Sequence, residues 1–180
     1  MKLSLASALA ALALCTAPAF AALTVGATAP TFSTQASLAG KEMPFDLAKA
    51  LKKGPVVLYF YPAAFTTGCT IEAHDFAEAT DSFKKLGATV IGVSADPIEV
   101  LDKFSVSECR NKFAVASATP QMIADYDVKI ANSTRADRTS YVIAPDGKVI
   151  FAYSEMNPAA HVQKTMDAVK AWKAAHPKKG

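Results

Sequence analysis

A thiol becomes a useful nucleophile where its surroundings favour the ionised sulfur, and Cys69 stands in such a place. The run Val56-Val57-Leu58-Tyr59-Phe60 reads as a strand covered on both faces. Tyr61, Pro62 and a short polar loop follow it, and Cys69 then opens an amphipathic helix. The first backbone N–H groups of a helix lack partners, and the macrodipole leaves partial positive charge there. Both favour thiolate over thiol. A free cysteine titrates near about 8.5, and helix starts or nearby cations bring such groups to roughly 3.5–7.5. Thr66 and Thr67 place hydroxyls just upstream of the sulfur, and no second cysteine lies within two residues. The residues alone describe a single activated thiol. The plainer alternative is a buried structural cysteine, a common fate for this residue.

The elements that must hold this sulfur follow from periodicity. Phe76, Ala79, Phe83 and Leu86 recur at helical steps after Cys69, and Gly87 sits where a helix stop belongs. Thr89 to Val93 is the next strand. Asp96-Pro97-Ile98-Glu99 has the signature of a capped helix start, and that helix, with Leu101 and Phe104 inward, is expected to run towards Cys109. Phe113 to Ala116 is a third strand, and Thr119-Pro120 caps a short helix ending at Tyr126. Residues from Ile130 to Asp137 form a polar surface loop. Tyr141 to Ala144 and Val149 to Tyr153 flank the turn Pro145-Asp146-Gly147-Lys148. Asn157-Pro158 starts a last helix striped by Val162, Met166, Val169 and Trp172. Before the central strand, Thr31 to Ser37 suits a short strand and Phe45 to Leu51 a turn or two of helix. The class is α/β, one domain, with strands alternating with helices and a late hairpin.

The chain has 180 residues and a net charge of +3, enough length for one sizeable core. Basic residues are scattered, so nothing points to nucleic acid, and Lys178-Lys179 reads as a solvated tail. Residues 1–21 have the form of a cleaved signal: Lys2, an apolar run from Leu3 to Leu14, and Ala19-Phe20-Ala21 as the cleavage site. The run is short of the roughly 20 apolar residues a membrane span needs. A lipid anchor on Cys15 is the rival, opposed by bulky Leu14. The expected product is a periplasmic or secreted domain, residues 22–180, with no membrane attachment after cleavage. It keeps Cys69 and Cys109, an even pair for which an oxidising compartment permits a disulfide. His74, His161 and His176 show no metal spacing, and there is no Gly-rich phosphate loop; neither metal nor cofactor is expected.

Pro62, Thr66 and Cys69 fit the P-x-x-x-T-x-x-C signature, and the chain here resembles the peroxiredoxins. The continuation Cys69-Thr70-x-Glu72-Ala73-x-x-Phe76 is similar to the bacterioferritin-comigratory, or Q-type, branch of these AhpC/TSA-like proteins. The similarity extends through GVSADPIEVLDKF and RTSYVIAPDGKV, and the early Gly26, Pro30 and Phe32 suit the wider thioredoxin-like superfamily. The resemblance implies a thioredoxin-like fold with peroxiredoxin elaborations, a central mixed sheet flanked by helices. It implies a thiol peroxidase that reduces a small hydroperoxide through a cysteine sulfenic acid.

Such a reaction needs an ionised sulfur, an aligned O–O bond and stabilised charge on the leaving oxygen. The resemblance makes Cys69 the nucleophile, with Thr66 orienting peroxide beside the sulfur. Pro62 walls the pocket and lacks a competing N–H. It places an arginine just before the late strand, where Arg138 stands; Arg135 and Arg110 are the competitors. Glu72 would face the same way from the first helical turn and hold that arginine, or merely complement the helix dipole. In many Q-type members the resolving cysteine lies five residues after the nucleophile, but His74 is there, assigned to the exposed side of its helix. Cys109 is the remaining internal resolver, against a buried role or a one-cysteine route with an external thiol. The reductant would be a thioredoxin-like protein or small thiol, and the state a monomer or weak homodimer. Two other functions stay open: a secreted thioredoxin-like thiol–disulfide oxidoreductase, and an inactive binding module. The first needs C-x-x-C, and Thr66 stands where its other cysteine belongs.

Overall fold

Val56–Phe60, here β3, is buried at all five positions. Fully burying such side chains stabilises each by about 1.5–3 kcal/mol relative to exposure, so this run organises the rest. The structure is a computed structural model, and it describes residues 22–177. The segment read as a signal, with Cys15, lies outside the described residues, as does the Lys178-Lys179 tail.

Among the described residues, seven strands form one mixed sheet in the order β2-β1-β5-β4-β3-β6-β7. They are β1 (Ser33–Leu38), β2 (Lys41–Asp46), β3, β4 (Thr89–Ser94), β5 (Ala114–Ser117), β6 (Thr139–Ile143) and β7 (Val149–Ser154). Strand β3 pairs parallel with β4 and antiparallel with β6. Alternation along β3 splits the core in two. Val56, Leu58 and Phe60 join the cluster containing Leu47, Leu51, Met122 and Ile123, from α1 (Leu47–Leu51) and α4 (Pro120–Asp125). Val57 and Tyr59 join the opposite cluster, with Phe76, Phe83, Leu101, Phe104, Met166 and Val169. Those come from α2 (Thr67–Lys85), α3 (Ile98–Ser107) and α5 (His161–Ala175). The sheet is therefore covered by helices on both faces, as its apolar strands require.

Four details depart from expectation. Phe45 belongs to β2, and α1 begins only at Leu47, capped by Asp46, whose side chain accepts from Lys49 N. The β1–β2 hairpin turns on Ala39 and Gly40, both with positive φ (54° and 73°), the geometry of a two-residue hairpin turn. Pro44 is tolerated because β2 is an edge strand. Helix α3 takes Pro97 as its N-cap, not Asp96, and stops at Ser107, so Cys109 lies beyond its end. Asn157 caps a single 3-10 turn (Pro158–Ala160) before α5 starts at His161.

Candidate active site

The site forms where β3 gives way to α2. Thr66 is the N-cap of α2 and makes no side-chain capping bond, so Cys69 sits in the first turn among uncapped N–H groups. Its side chain is 2% exposed. The strand register supplies the cation. Phe60 lies opposite Thr139 in the β3–β6 pair, so Arg138, one residue before Thr139, arrives at the end of β3 that leads into α2. Arg138 Nη2 donates to Cys69 Sγ at 3.5 Å.

The guanidinium is held from three sides. Nη1 donates to Glu72 Oε2, Nε donates to the Met156 carbonyl at 2.9 Å, and Nη2 points at the sulfur. Arg138 and Glu72 are 3% and 0% exposed. Burial pushes the Glu72 carboxyl up, to about 8, against the downward pull of Arg138. Burial pulls Arg138 down, but Glu72 and Cys69 together outweigh it and raise the group above its ordinary range, so the guanidinium stays charged. One cation thus faces a sulfur on one side and a carboxyl on the other.

Sequence reasoning missed Gly68. A Cβ there would come within 3.0 Å of Arg138 Nη2, so the arginine approaches the sulfur over a bare backbone position. Gly68→Ala should slow peroxide reduction about tenfold, because misplacing a positioning group by even ~1 Å can cost more than that. Thermal unfolding should show no loss of stability, since Ala favours a helix over Gly by about 0.8–1.0 kcal/mol. A variant as active as the parent would show that the approach is not limiting.

The other expected residues divide. Thr66 is exposed, and its hydroxyl donates to the Ala63 carbonyl at 3.0 Å rather than to the sulfur. Pro62 is half-buried directly after Tyr61. The loop between them is anchored by Asp96, whose Oδ2 accepts from Ala64 N (2.7 Å) and Ser94 Oγ (2.8 Å). That is the real task of the acid expected to cap α3. Phe65 has φ of 64°, a strained value for an aromatic residue, and packs edge-on against Phe104 at 5.2 Å. Arg110 and Arg135 are away from the sulfur; Arg110 pairs with Glu78 at 3.0 Å, and Arg135 is exposed.

Cys109 is fully buried and is a free thiol, as is Cys69. Both lie in the same apolar cluster, with Tyr59, Tyr61, Phe76 and Phe104. Burial pushes the Cys109 thiol well above its ordinary range, and Glu108 adds to the rise. The segment around it is tied to α2 by the His74–Glu108 hydrogen bond (2.8 Å) and by two ion pairs, Glu78–Arg110 (3.0 Å) and Asp81–Lys112 (3.0 Å). His74 is therefore a tether, one third exposed, rather than a free surface residue. Arg110 and Asn111 both have positive φ, 51° and 59°. A groove of about 410 Å³ against Met43, Phe45, Lys84 and Phe113 touches none of the site residues.

The family model for the AhpC/TSA family matches residues 25–152. The chain belongs to that family. Among AhpC/TSA-type relatives, peroxiredoxin Q from Sedum lineare chloroplasts is 32% identical over 86% of this chain and 82% of its own. Peroxiredoxin Bcp of Escherichia coli K12 is 30% identical over 67% of this chain and 79% of its own. The crystal structure of peroxidoxin BcpB from Mycobacterium tuberculosis superposes with a TM-score of 0.75 and 33% identity, covering 82% of this chain and 96% of that one. The fold is thus thioredoxin-like, and the AhpC/TSA chain described here is a thiol-dependent peroxidase.

Proposed function

We propose that Cys69 is the peroxidatic sulfur and that Arg138 aligns the peroxide and offsets the charge developing on its leaving oxygen. The observation that carries this is the 3.5 Å contact from Arg138 Nη2 to Cys69 Sγ in a buried site at a helix start. The sulfur attacks one oxygen of the hydroperoxide, the O–O bond breaks, and the other oxygen leaves as hydroxide or alkoxide. Guanidinium and N–H groups fixed beforehand meet that charge without reorganising, which is the largest usual source of rate. Thr66, its hydroxyl already donating to Ala63, is free to accept from the peroxide O–H. Pro62 shapes the wall.

Resolution is assigned to Cys109. The sulfenic acid on Cys69 condenses with the Cys109 thiol, releasing water and forming an intramolecular disulfide. The two Cα atoms must come within about 4.4–6.8 Å. Both sulfurs are buried, so the condensation needs the Cys109 segment and the first turn of α2 to open. A thioredoxin-like protein or small thiol then restores both thiols. Export from the cell belongs to the same reading, supported by Lys2, the apolar run to Leu14 and Ala19-Phe20-Ala21.

The test is consumption of hydrogen peroxide with dithiothreitol, followed by a non-reducing mass spectrum after one equivalent of peroxide. We expect turnover, and a product lighter by two hydrogens in which peptide mapping joins Cys69 to Cys109. A chain that consumes no peroxide overturns the peroxidase assignment. A lasting sulfenic acid in place of the disulfide removes Cys109 from the cycle.

A further inference from the structure

Behind Arg138 lies a second ionisable side chain that the sequence did not mark, and it sits outside the stretch matched by the family model. His161, at the first position of α5, is fully buried. Its Nε2 lies 2.8 Å from the Glu155 carbonyl, which can only accept, so Nε2 carries a hydrogen. Its Nδ1 lies 2.8 Å from Ser140 Oγ and 3.7 Å from Glu72 Oε1. That Glu72 oxygen is buried with no hydrogen-bond partner among the described residues, while the other one holds Arg138.

An ionised Glu72 would set an unpartnered oxygen against the bare lone pair of Nδ1, two acceptors face to face in a dry place. One proton removes the conflict, on Oε1 or on Nδ1, and the Ser140 hydroxyl can turn to donate or to accept in either case. A modest shift closes 3.7 Å to a hydrogen bond of about 2.8 Å. We propose that His161 is a positioning residue of the peroxidase site: it shares one proton with Glu72, and that proton releases Arg138 from the carboxylate so that the guanidinium serves the Cys69 thiolate. The inference rests on Cys69 and Arg138 acting as described above.

The charges balance. Cys69 thiol plus Glu72 carboxylate becomes Cys69 thiolate plus a protonated Glu72–His161 pair, so the number of buried charges is unchanged and one cation never serves two anions. The groups facing the pair are few. Helix α2 contributes Cys69, Glu72 and Asp75, β6 contributes Ser140, and Arg138 comes from the residue just before β6. Tyr153 on β7 packs edge-on against the imidazole at 4.8 Å with Lys164 over its outer face, and Glu155 accepts through its backbone. Burial and the nearby guanidinium push His161 down, to about 4, while burial takes Glu72 up to about 8. The shared proton therefore rests on Glu72 at neutral pH and leaves as pH passes about 8.

The experiment follows Cys69 by peptide mass in the full chain, measuring its rate of alkylation by iodoacetamide and of oxidation by hydrogen peroxide from pH 5 to 9. The parent should lose reactivity above about pH 8 as Glu72 reclaims Arg138. His161→Gln keeps a donor for Glu155 and an acceptor for Ser140 but offers the Glu72 proton an amide oxygen, a weaker acceptor than the imidazole Nδ1. It should move that alkaline limb about one pH unit lower, which slows the reaction about fivefold at the parent's midpoint and about tenfold well above it. Glu72→Gln should abolish the limb, and adding His161→Gln to it should change nothing further, since residues acting through one another do not add. A His161→Gln profile identical to the parent's overturns the proposal, as does a double variant slower than Glu72→Gln alone. The Glu72→Gln profile decides independently of how well a His161 variant folds: an alkaline limb that survives there also overturns it. Loss of activity in Cys69→Ser reports on the nucleophile alone, so the two readings fail separately.

Discussion

Cys69→Ser is expected to lower hydrogen peroxide turnover by about 10⁴-fold or more, the scale on which enzymes lose a nucleophile. The change is one atom. Everything that positions the sulfur survives it: the uncapped first turn of α2, the Gly68 gap, and Arg138 fastened by Glu72 and the Met156 carbonyl. What disappears is an atom that can be ionised there. A serine hydroxyl stays protonated under the same field and is a poor nucleophile without an adjacent base. The measurement is the decay of peroxide absorbance with dithiothreitol present, alongside a thermal melt showing that the variant folds. Turnover within tenfold of the parent would remove Cys69 from the mechanism and leave the buried cation without a reaction to serve.

The second large effect is at Arg138. Arg138→Met should cost about 10²–10³-fold in peroxide reduction, the loss associated with a fixed donor aimed at developing charge. Stability should change as well, with a distinctive pH dependence. Glu72 is fully buried and already raised to about 8 with the cation beside it. Removing Arg138 takes away the influence that lowers it, so it climbs further. A carboxyl whose folded value exceeds its unfolded one binds more protons folded than unfolded. Its contribution is present in full below the unfolded value near 4.5 and is lost as pH rises through the folded value. Arg138→Met should therefore unfold at progressively lower urea concentration from pH 5 to 9 and keep losing ground above about pH 8, where the parent's curve levels off. Adding Glu72→Gln should flatten that slope without restoring activity. If the slope persists in the double variant, Glu72 is not its source.

Much of the site was readable in the chain because its parts are local. A continuous apolar strand, a proline and a cysteine at a helix start follow one another between Val56 and Cys69, and each constrains the backbone of the next. Arg138 was reached only by resemblance. Its meeting with Cys69 depends on the β3–β6 register, which no local pattern encodes. Gly68 and His161 were not legible for the same reason. A glycine at the second position of a helix resembles ordinary loop chemistry until an arginine is seen 3.0 Å from where its Cβ would lie. A histidine opening the last helix resembles a surface residue until Glu72 and Ser140 are found around it. The β1–β2 hairpin escaped notice because Ala39, rather than Asn or Asp, takes the left-handed position. Asp96 was misread because Asp-Pro fits a helix start so well; the loop before Thr66 claims its carboxylate instead.

The ion pairs fall into two electrical classes. Arg138–Glu72 is sealed from solvent, whereas Arg110–Glu78 and Lys112–Asp81 lie open, their side chains between 45% and 70% exposed. Dissolved ions at physiological strength act over a Debye length of about 8 Å and dampen open pairs far more than sealed ones. A saltier medium thus slackens the tether over Cys109 while the field at the first sulfur keeps its strength. On the proposed role of Cys109, ionic strength becomes a dial on regeneration, while the sealed pair that holds Arg138 is spared it.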